Sequence, residues 1–127
     1  MSNSRFEELE VWKKAHQLTL DIYRLTEQFP SKEQYRVNSQ LCRASSSICA
    51  NIVEGNARGS YKDYLRFLYI ARGSLEETRY FILLSKDLNY LTEIQYNNLN
   101  QQIIIISKML NGMIKGLIEK YSKADIR

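Results

Sequence analysis

Three side chains suited to nucleic-acid contact recur at helical spacing: Lys62, Arg66 and Tyr69. Positions i, i+4 and i+7 share one face of an α-helix, and Arg58 stands just before them in a glycine-containing turn. Because cations contact phosphates and flat aromatic rings stack on bases, this pattern predicts an RNA-binding face. The alternative is a solvated basic face that only aids solubility.

The net charge of the chain is concentrated around these residues. The whole chain carries 18 Lys and Arg against 14 Asp and Glu, a net charge of +4 with a pI near 9.1. The stretch 32–72 holds seven of the basic residues and three of the acidic ones, so it accounts for the entire excess. A local surplus of positive charge attracts anionic partners. Arg43, in the same stretch, is a further candidate contact.

A string of small and polar residues, 45–55, precedes the turn. Asn51 and Glu54 in this string lie next to an apolar stripe, where buried polar groups need partners. One interpretation is structural, with either residue buried against Arg43, Arg58 or a residue of the third helix. The other is a binding site formed by Asn51, Glu54 and Arg58, and the sequence leaves both open.

Residue types needed for catalysis or metal binding are scarce. The only histidine is His16, and Lys13 stands three positions before it, so the Glu-x-x-His pairs of di-iron bundles are missing. Glu76 and Glu77 are adjacent and diverge by about 100° on a helix, which does not suit two carboxylates acting on one bond. We therefore expect no enzymatic activity, no metal, no cofactor and no small-molecule substrate.

Four amphipathic segments must position the candidate residues, and we predict helices over about 5–28, 32–56, 61–88 and 92–121. A Ser/Thr-x-x-Glu/Gln/Asp capping signature opens each segment, at Ser4, Ser31, Ser60 and Thr92. Apolar residues then follow at alternating spacings of three and four. The stripes are Val11, Ala15, Leu18, Ile22, Leu25 and Phe29; Val37, Leu41, Ala44, Ile48 and Ile52; Tyr64, Leu68, Ala71, Leu75, Thr78 and Ile82; and Leu99, Ile103, Ile106, Leu110, Met113 and Leu117.

This spacing and the short connections predict one domain over 1–127. Its expected fold is an all-α, antiparallel, up-down-up-down, left-handed four-helix bundle whose neighbouring helices cross at about 20°. The run 101–106 could form a strand on its own, but the 3-4 spacing continues on both sides and favours a helix. A single proline and five glycines also leave too few turns for a many-stranded β-fold.

The third and fourth segments carry more apolar surface than a monomeric bundle needs. A mid-helix glycine costs about 1 kcal/mol relative to alanine, so two glycines at i, i+4 indicate a backbone that another helix approaches closely. We favour subunit contact over the alternatives, a broad core face and tolerance of glycine near a chain end. The candidate interface residues are Phe67, Phe81, Ile104, Ile105, Gly112 and Gly116.

The sequence carries no signal for a membrane or for export. Its apolar runs are far shorter than the ~18 residues of a bilayer span, and no apolar leader follows Met1. We therefore expect a cytoplasmic protein without a membrane partner.

Several motifs taken together resemble a bacterial four-helix-bundle family, named for the 23S rRNA intervening sequences in which some members are encoded. The resemblance covers about residues 6–121 and departs from the family at Cys49, where proline is frequent, and at Val53, where a small residue is frequent. The motifs are Phe6-Glu7-x-Leu9-x-Val11-Trp12, Phe29-Pro30, Glu33 to Tyr35, Gln40-x-x-Arg43-Ala44, Ser47-Ile48, Asn51-Ile52-x-Glu54-Gly55 with Arg58, and Ala71-Arg72-Gly73-Ser74-Leu75-x-Glu77.

The resemblance implies a homopentamer with no established enzymatic activity. It also implies kinship with the accessory proteins of diversity-generating retroelements, basic pentameric bundles that bind nucleic acid and a reverse transcriptase. Asn51, Glu54 and Glu77 are motif residues whose role is either structural or in binding. We expect a non-enzymatic oligomer that binds RNA or a nucleoprotein, and the alternative is a protein-protein scaffold with no nucleic-acid role.

Overall fold

The predicted helices are present in the computed structural model, which describes residues 5–126 and the side chains up to residue 122. Short 3-10 helices, Phe6–Glu8 and Ser31–Glu33, precede the first two α-helices. No strand occurs between residues 5 and 126, and the run 101–106 is helical as predicted. The α-helices are α1 (Glu10–Thr26), α2 (Val37–Asn56), α3 (Tyr61–Asp87) and α4 (Glu93–Ile126).

The apolar stripes meet in one core, as predicted. Helix α2 packs against α1 and α3, and α4 packs against α3 and α1, an arrangement consistent with a four-helix bundle. Burying a Leu or Ile side chain stabilises the fold by about 1.5–3 kcal/mol. The large side chains buried most completely all come from the predicted stripes: Leu18, Ile22, Leu41, Ile48, Ile52, Leu68, Leu75, Ile82, Leu99, Ile103, Ile106 and Leu110.

The beginning of α1 differs from the prediction. The helix starts at Glu10 rather than near residue 5, because Phe6–Glu8 forms a 3-10 turn and Leu9 has an extended backbone. The predicted capping residue Ser4 lies outside the described residues. At the other end of the chain, α4 continues to Ile126, beyond the predicted end near 121.

The beginning of α2 also differs, since this helix starts at Val37 rather than near residue 32. The side chain of Glu33 is buried and accepts a hydrogen bond of 2.6 Å from the Tyr90 hydroxyl, which ties the preceding 3-10 turn to the α3–α4 connection. The hydrogen bond from Tyr90 holds the pKa of Glu33 below its ordinary value, with help from the nearby Arg36 and against the effect of burial. Because α2 begins at Val37 and not after Ser31, the predicted cap at Ser31 is wrong.

The caps of α3 and α4 are confirmed. The Ser60 hydroxyl accepts a 3.1 Å hydrogen bond from the backbone N–H of Asp63. Thr92 and Gln95 exchange two hydrogen bonds of 3.0 and 3.1 Å, which is a complete capping box. These bonds satisfy N–H groups that have no partner inside the helix, so both helices begin where the sequence predicts.

Half of the candidate interface residues are apolar side chains or glycines that remain exposed. Ile104 and Ile105 are 45% and 47% exposed, and Gly112 is exposed as well. The two isoleucines face different grooves, Ile104 towards α3 and Ile105 towards α1. No atom of another described helix lies within 4 Å of a Cβ built on Gly112 or Gly116, so no other described helix of this chain approaches them closely.

Two other candidates point inwards. Phe67 is only 9% exposed, and Phe81 is half-buried against the core. The Phe67 side chain packs where α3 meets Gly55 of α2, so little of it is exposed for the predicted contact with another subunit.

None of the helices between residues 5 and 126 has both the length and the apolar content needed to cross a bilayer.

Candidate nucleic-acid interface

The candidate interface is built on a close contact between the end of α2 and the beginning of α3. A Cβ at Gly55 would lie 2.9 Å from Tyr64 Cδ1 and 3.0 Å from Phe67 Cβ, closer than real Cβ contacts. Gly55 itself is buried. A glycine is therefore required for α3 to pack this closely on α2, and this contact sets how the beginning of α3 lies against the end of α2.

Phe67 brings two arginines together on the surface of this junction. The guanidinium carbon of Arg58 lies 4.7 Å from the centroid of the Phe67 ring, and that of Arg66 lies 4.5 Å from it. Arg58 comes from the α2–α3 turn and Arg66 from the second turn of α3. A cation over an aromatic ring gains about 0.5–1 kcal/mol at the protein surface, so the mostly buried Phe67 ring restrains both surface arginines without neutralising them.

The three cations Arg58, Lys62 and Arg66, called the basic cluster below, differ in their carboxylate partners. Arg58 forms an exposed ion pair of 3.1 Å with Glu54. In the described part of the chain, neither Lys62 nor Arg66 has a carboxylate within ion-pairing distance. Exposed ion pairs are worth at most about 1 kcal/mol, so a phosphate can compete for Arg58 as well. The basic cluster has the charge and accessibility to bind an anion.

A cavity of about 430 Å³ opens beside the basic cluster, at the beginning of α3. Arg58 and Lys62 line it together with three tyrosines, Tyr61, Tyr64 and Tyr121. Burial raises the pKa of the Tyr64 hydroxyl, which therefore remains protonated and able to donate a hydrogen bond. The cavity combines positive charge with aromatic walls.

Tyr69 lies on the same face of α3 as Lys62 and Arg66, and its ring is 41% exposed. The guanidinium carbon of Arg72 lies 4.9 Å from the centroid of this ring. Arg72 also donates a 3.0 Å hydrogen bond to Asn111 of α4, so it is held between the two helices. Tyr69 is placed to extend the basic cluster along α3.

Arg43 does not join the basic cluster. It lies about 20 Å before the end of α2, by the helical rise per residue, and donates a hydrogen bond to Gln40. Arg43 and Arg58 belong to the same basic stretch of the sequence, which suggested a shared surface. The length of this helix separates them in the structure.

The contacts of the polar motif of α2 agree in part with the structural interpretation, since Asn51 is linked to the third helix through Ser47. Asn51 donates hydrogen bonds to the backbone oxygen and the hydroxyl of Ser47, and the Ser47 hydroxyl lies 2.9 Å from that of Ser74 on α3. Asn51 is therefore part of a polar link between α2 and α3. Glu54 does pair with Arg58, but the pair is exposed, so the expectation of a buried pair is wrong.

Glu77 stands apart from these groups. It is exposed on α3, about three helical turns beyond Arg66. Its carboxylate has no hydrogen bond or ion pair with any residue between 5 and 122.

Sequence reasoning missed two features of this surface. It assigned Phe67 to a subunit interface, whereas the ring supports Arg58 and Arg66. It also overlooked Tyr61 and Tyr121 as walls of a cavity. Arg66 and Phe67 are consecutive in the sequence, and this was the available signal for the contact between them. Tyr61 and Tyr121 lie on different helices, so their shared cavity depends on tertiary packing.

Comparison with known proteins identifies relatives of this fold. A structure described as a protein of unknown function from the S23 ribosomal protein family of Bacteroides thetaiotaomicron is similar to this chain, with a TM-score of 0.75 and 29% sequence identity. The match covers 83% of this chain and 98% of the other. No curated protein matches the sequence. A family model described as "23S rRNA-intervening sequence protein" matches residues 7–112, and the chain belongs to this family.

Proposed function

We propose that this protein is a non-enzymatic, homo-oligomeric helical bundle that binds RNA through the basic cluster. The observation that carries the proposal is the grouping of Arg58, Lys62 and Arg66 at one junction, with Lys62 and Arg66 lacking carboxylate partners in the described residues. Phosphate contacts from such cations supply most of the sequence-independent affinity for nucleic acid. The exposed ring of Tyr69 adds a surface for base stacking.

The proposed assembly is a pentamer of antiparallel, up-down-up-down bundles in the cytoplasm. The contacts between α1 and α2 support the antiparallel arrangement, since Thr19 lies against Cys49 whereas Thr26 lies against Cys42. The exposed isoleucines of α4 support subunit contact. In a ring of five copies the local charge repeats to about +20, which attracts RNA more strongly than one subunit does. A monomer of 15.0 kDa in light scattering at micromolar concentration contradicts the oligomer.

The experiment that tests RNA binding is a charge reversal of the basic cluster, with a fragment of structured 23S rRNA as the probe. We expect the wild-type protein to shift this RNA with an affinity that falls steeply as salt rises. The triple variant Arg58→Glu, Lys62→Glu and Arg66→Glu should bind at least about tenfold more weakly, because three phosphate contacts become repulsive.

The matched control changes the same amount of charge elsewhere, as Lys14→Glu, Lys108→Glu and Lys115→Glu. These three lysines are exposed and lie outside the junction of α2 and α3. We expect the control variant to retain most of the affinity. Equal affinities of the cluster variant and the wild type contradict the proposed site. The absence of any salt-dependent shift favours the alternative, a protein-protein scaffold without a nucleic-acid role.

A further inference from the structure

The cavity beside the basic cluster has the dimensions and lining of a site for a small aromatic ligand. Its volume of about 430 Å³ falls within the ~300–1,000 Å³ that is usual for ligand pockets. Tyr61 and Tyr121 supply aromatic walls from α3 and α4, and Lys120 Nζ lies 5.7 Å from the centroid of the Tyr61 ring as a further cation. Arg58 and Lys62 supply positive charge at the rim, from the turn and from the first turn of α3. Aromatic rings stack on the base of a nucleotide, and neighbouring cations contact its phosphate.

Tyr64 adds a hydrogen-bonding group to this cavity that the protein itself does not use. The Tyr64 side chain is 91% buried, being 9% exposed, and it lines the cavity. Its hydroxyl has no hydrogen-bond partner among the described residues. The hydroxyl oxygen is not among the buried polar atoms that lack a partner, so it reaches solvent and is available to a ligand in the cavity.

The beginning of α3 adds a third favourable feature. Ser60 caps the helix by accepting the N–H of Asp63, and this leaves the backbone N–H groups of Tyr61 and Lys62 without a helical acceptor. N–H groups at the start of a helix of 27 residues favour an anion such as phosphate.

We infer that the cavity accepts one unpaired nucleotide of the bound RNA, with the base against a tyrosine ring of the cavity wall and the phosphate against Arg58, Lys62 and the start of α3. The inference rests on the proposed RNA binding and adds a preference to it. A base paired within a duplex cannot leave its stack without a cost, whereas a bulged base is already available to stack on a protein ring. The protein therefore selects RNA helices interrupted by an unpaired base.

The test compares four probes. The first is an RNA hairpin with one bulged adenosine, the second is the same hairpin with an abasic residue at the bulge, and the third is the fully paired hairpin. The fourth probe is free adenosine monophosphate. We expect the wild-type protein to bind the bulged-adenosine hairpin about tenfold more tightly than the abasic one, because one base-aromatic stack is gained.

Two variants assign this preference to the cavity. Tyr61→Ala removes an exposed wall and should bring the ratio of the two affinities close to one. Tyr64→Phe keeps the packed ring, removes only the hydroxyl and should reduce the ratio. The matched control is Tyr80→Ala, an exposed tyrosine of the same helix about 28 Å farther along, and it should leave the ratio unchanged.

The outcomes separate this inference from the proposed function. Equal binding of the bulged and abasic hairpins overturns the nucleotide site but leaves RNA binding intact. A preference that survives Tyr61→Ala also overturns the site. Adenosine monophosphate that binds as tightly as the bulged hairpin assigns the cavity to a free nucleotide and overturns the assignment to an RNA strand. Failure to bind any hairpin overturns the proposed function itself.

Discussion

The pair of helices α2 and α3 has two ends, one where α2 begins and one where α2 turns into α3. The two ends place charge in opposite ways. Just before α2, the carboxylate of Glu33 is 4% exposed, accepts the Tyr90 hydroxyl and lies 3.7 Å from Arg36. In the first two turns of α3, Lys62 and Arg66 are exposed and have no carboxylate partner in the described residues. A buried charge must be compensated to be tolerated, so the first end is structural. Uncompensated charge at the surface costs little and is available to a partner, so the second end is suited to binding.

At the end that carries Glu33, the α1–α2 and α3–α4 connections are also held together. Glu33 belongs to the α1–α2 connection and Tyr90 to the α3–α4 connection, and the Phe29 ring packs 5.2 Å from the Tyr90 ring. The acid therefore acts as a clamp between segments that are distant in the sequence. Among the described residues, no such hydrogen bond ties the α2–α3 turn to another connection, and the geometry of this turn depends on the close contact at Gly55.

Among substitutions at the two ends, Gly55→Ala is expected to have the largest effect on stability and RNA binding. The added Cβ meets the Tyr64 ring at 2.9 Å and Phe67 Cβ at 3.0 Å, so α3 must shift away from α2. Overpacking outweighs the gain in helix propensity, and we expect the free energy of unfolding to fall by about 2 kcal/mol in urea denaturation. RNA affinity should fall too, because Phe67 holds Arg58 and Arg66 of the basic cluster.

The matched control for this substitution is Gly73→Ala. Gly73 lies in the middle of α3, and no described atom is within 4 Å of a Cβ built there. The same chemical change should therefore stabilise the protein by up to about 1 kcal/mol through helix propensity. If Gly55→Ala stabilises the protein as Gly73→Ala does, the close contact does not determine the geometry of the junction.

A smaller effect is expected at the other end from Tyr90→Phe. This change removes the O–H group that Glu33 accepts and leaves a buried carboxylate without its best partner. We expect the midpoint of thermal unfolding at neutral pH to fall by roughly 5 °C. RNA affinity should be unchanged, because Tyr90 lies beyond the opposite end of α3 from the basic cluster. A loss of RNA binding at unchanged stability contradicts the division between the two ends.

The pH dependence of stability provides a second measure of the same bond. The pKa of Glu33 is lowered in the folded protein, chiefly by the hydrogen bond from Tyr90, so the unfolded chain binds a proton more readily. The resulting stabilisation is present above the ordinary glutamate pKa of about 4.3 and is lost as the pH falls below it. The difference in midpoint between wild type and Tyr90→Phe should therefore shrink as the pH is lowered from 7 towards 3 in thermal unfolding experiments.

The core of this fold could be predicted from the sequence because its information is local. The spacing of Leu18 and Ile22, or of Ile103 and Ile106, determines which side of a helix is apolar, and the most completely buried side chains follow that spacing. The caps at Ser60 and Thr92 depend on residues three positions apart and were predicted for the same reason.

The remaining features depend on contacts between distant segments. Ser31 carries the same signature as Thr92, but Glu33 makes a bond to Tyr90, 57 residues later, and the start of α2 is delayed. In the sequence, Phe67 is only an additional apolar residue of α3. Its position becomes clear once α2 and α3 pack closely at Gly55. Of the cationic candidates, Arg58, Lys62 and Arg66 come together because they adjoin one turn, whereas Arg43 is separated from them by the length of a helix.

The smallest effect is expected from Glu54→Gln, which tests whether the basic end is held partly neutral before RNA binds. Glu54 lies 3.1 Å from Arg58 in an exposed pair, so its loss should change stability by less than about 1 kcal/mol. RNA affinity should rise about threefold, because the phosphate no longer competes with this carboxylate. The control Glu76→Gln breaks an exposed pair with Arg79 that lies about 15 Å beyond Arg66, farther than the ~8 Å screening length, and should leave affinity unchanged. A weaker affinity of Glu54→Gln shows instead that the carboxylate positions Arg58 over Phe67, and both ends of α2 then use an acid to hold an arginine in place.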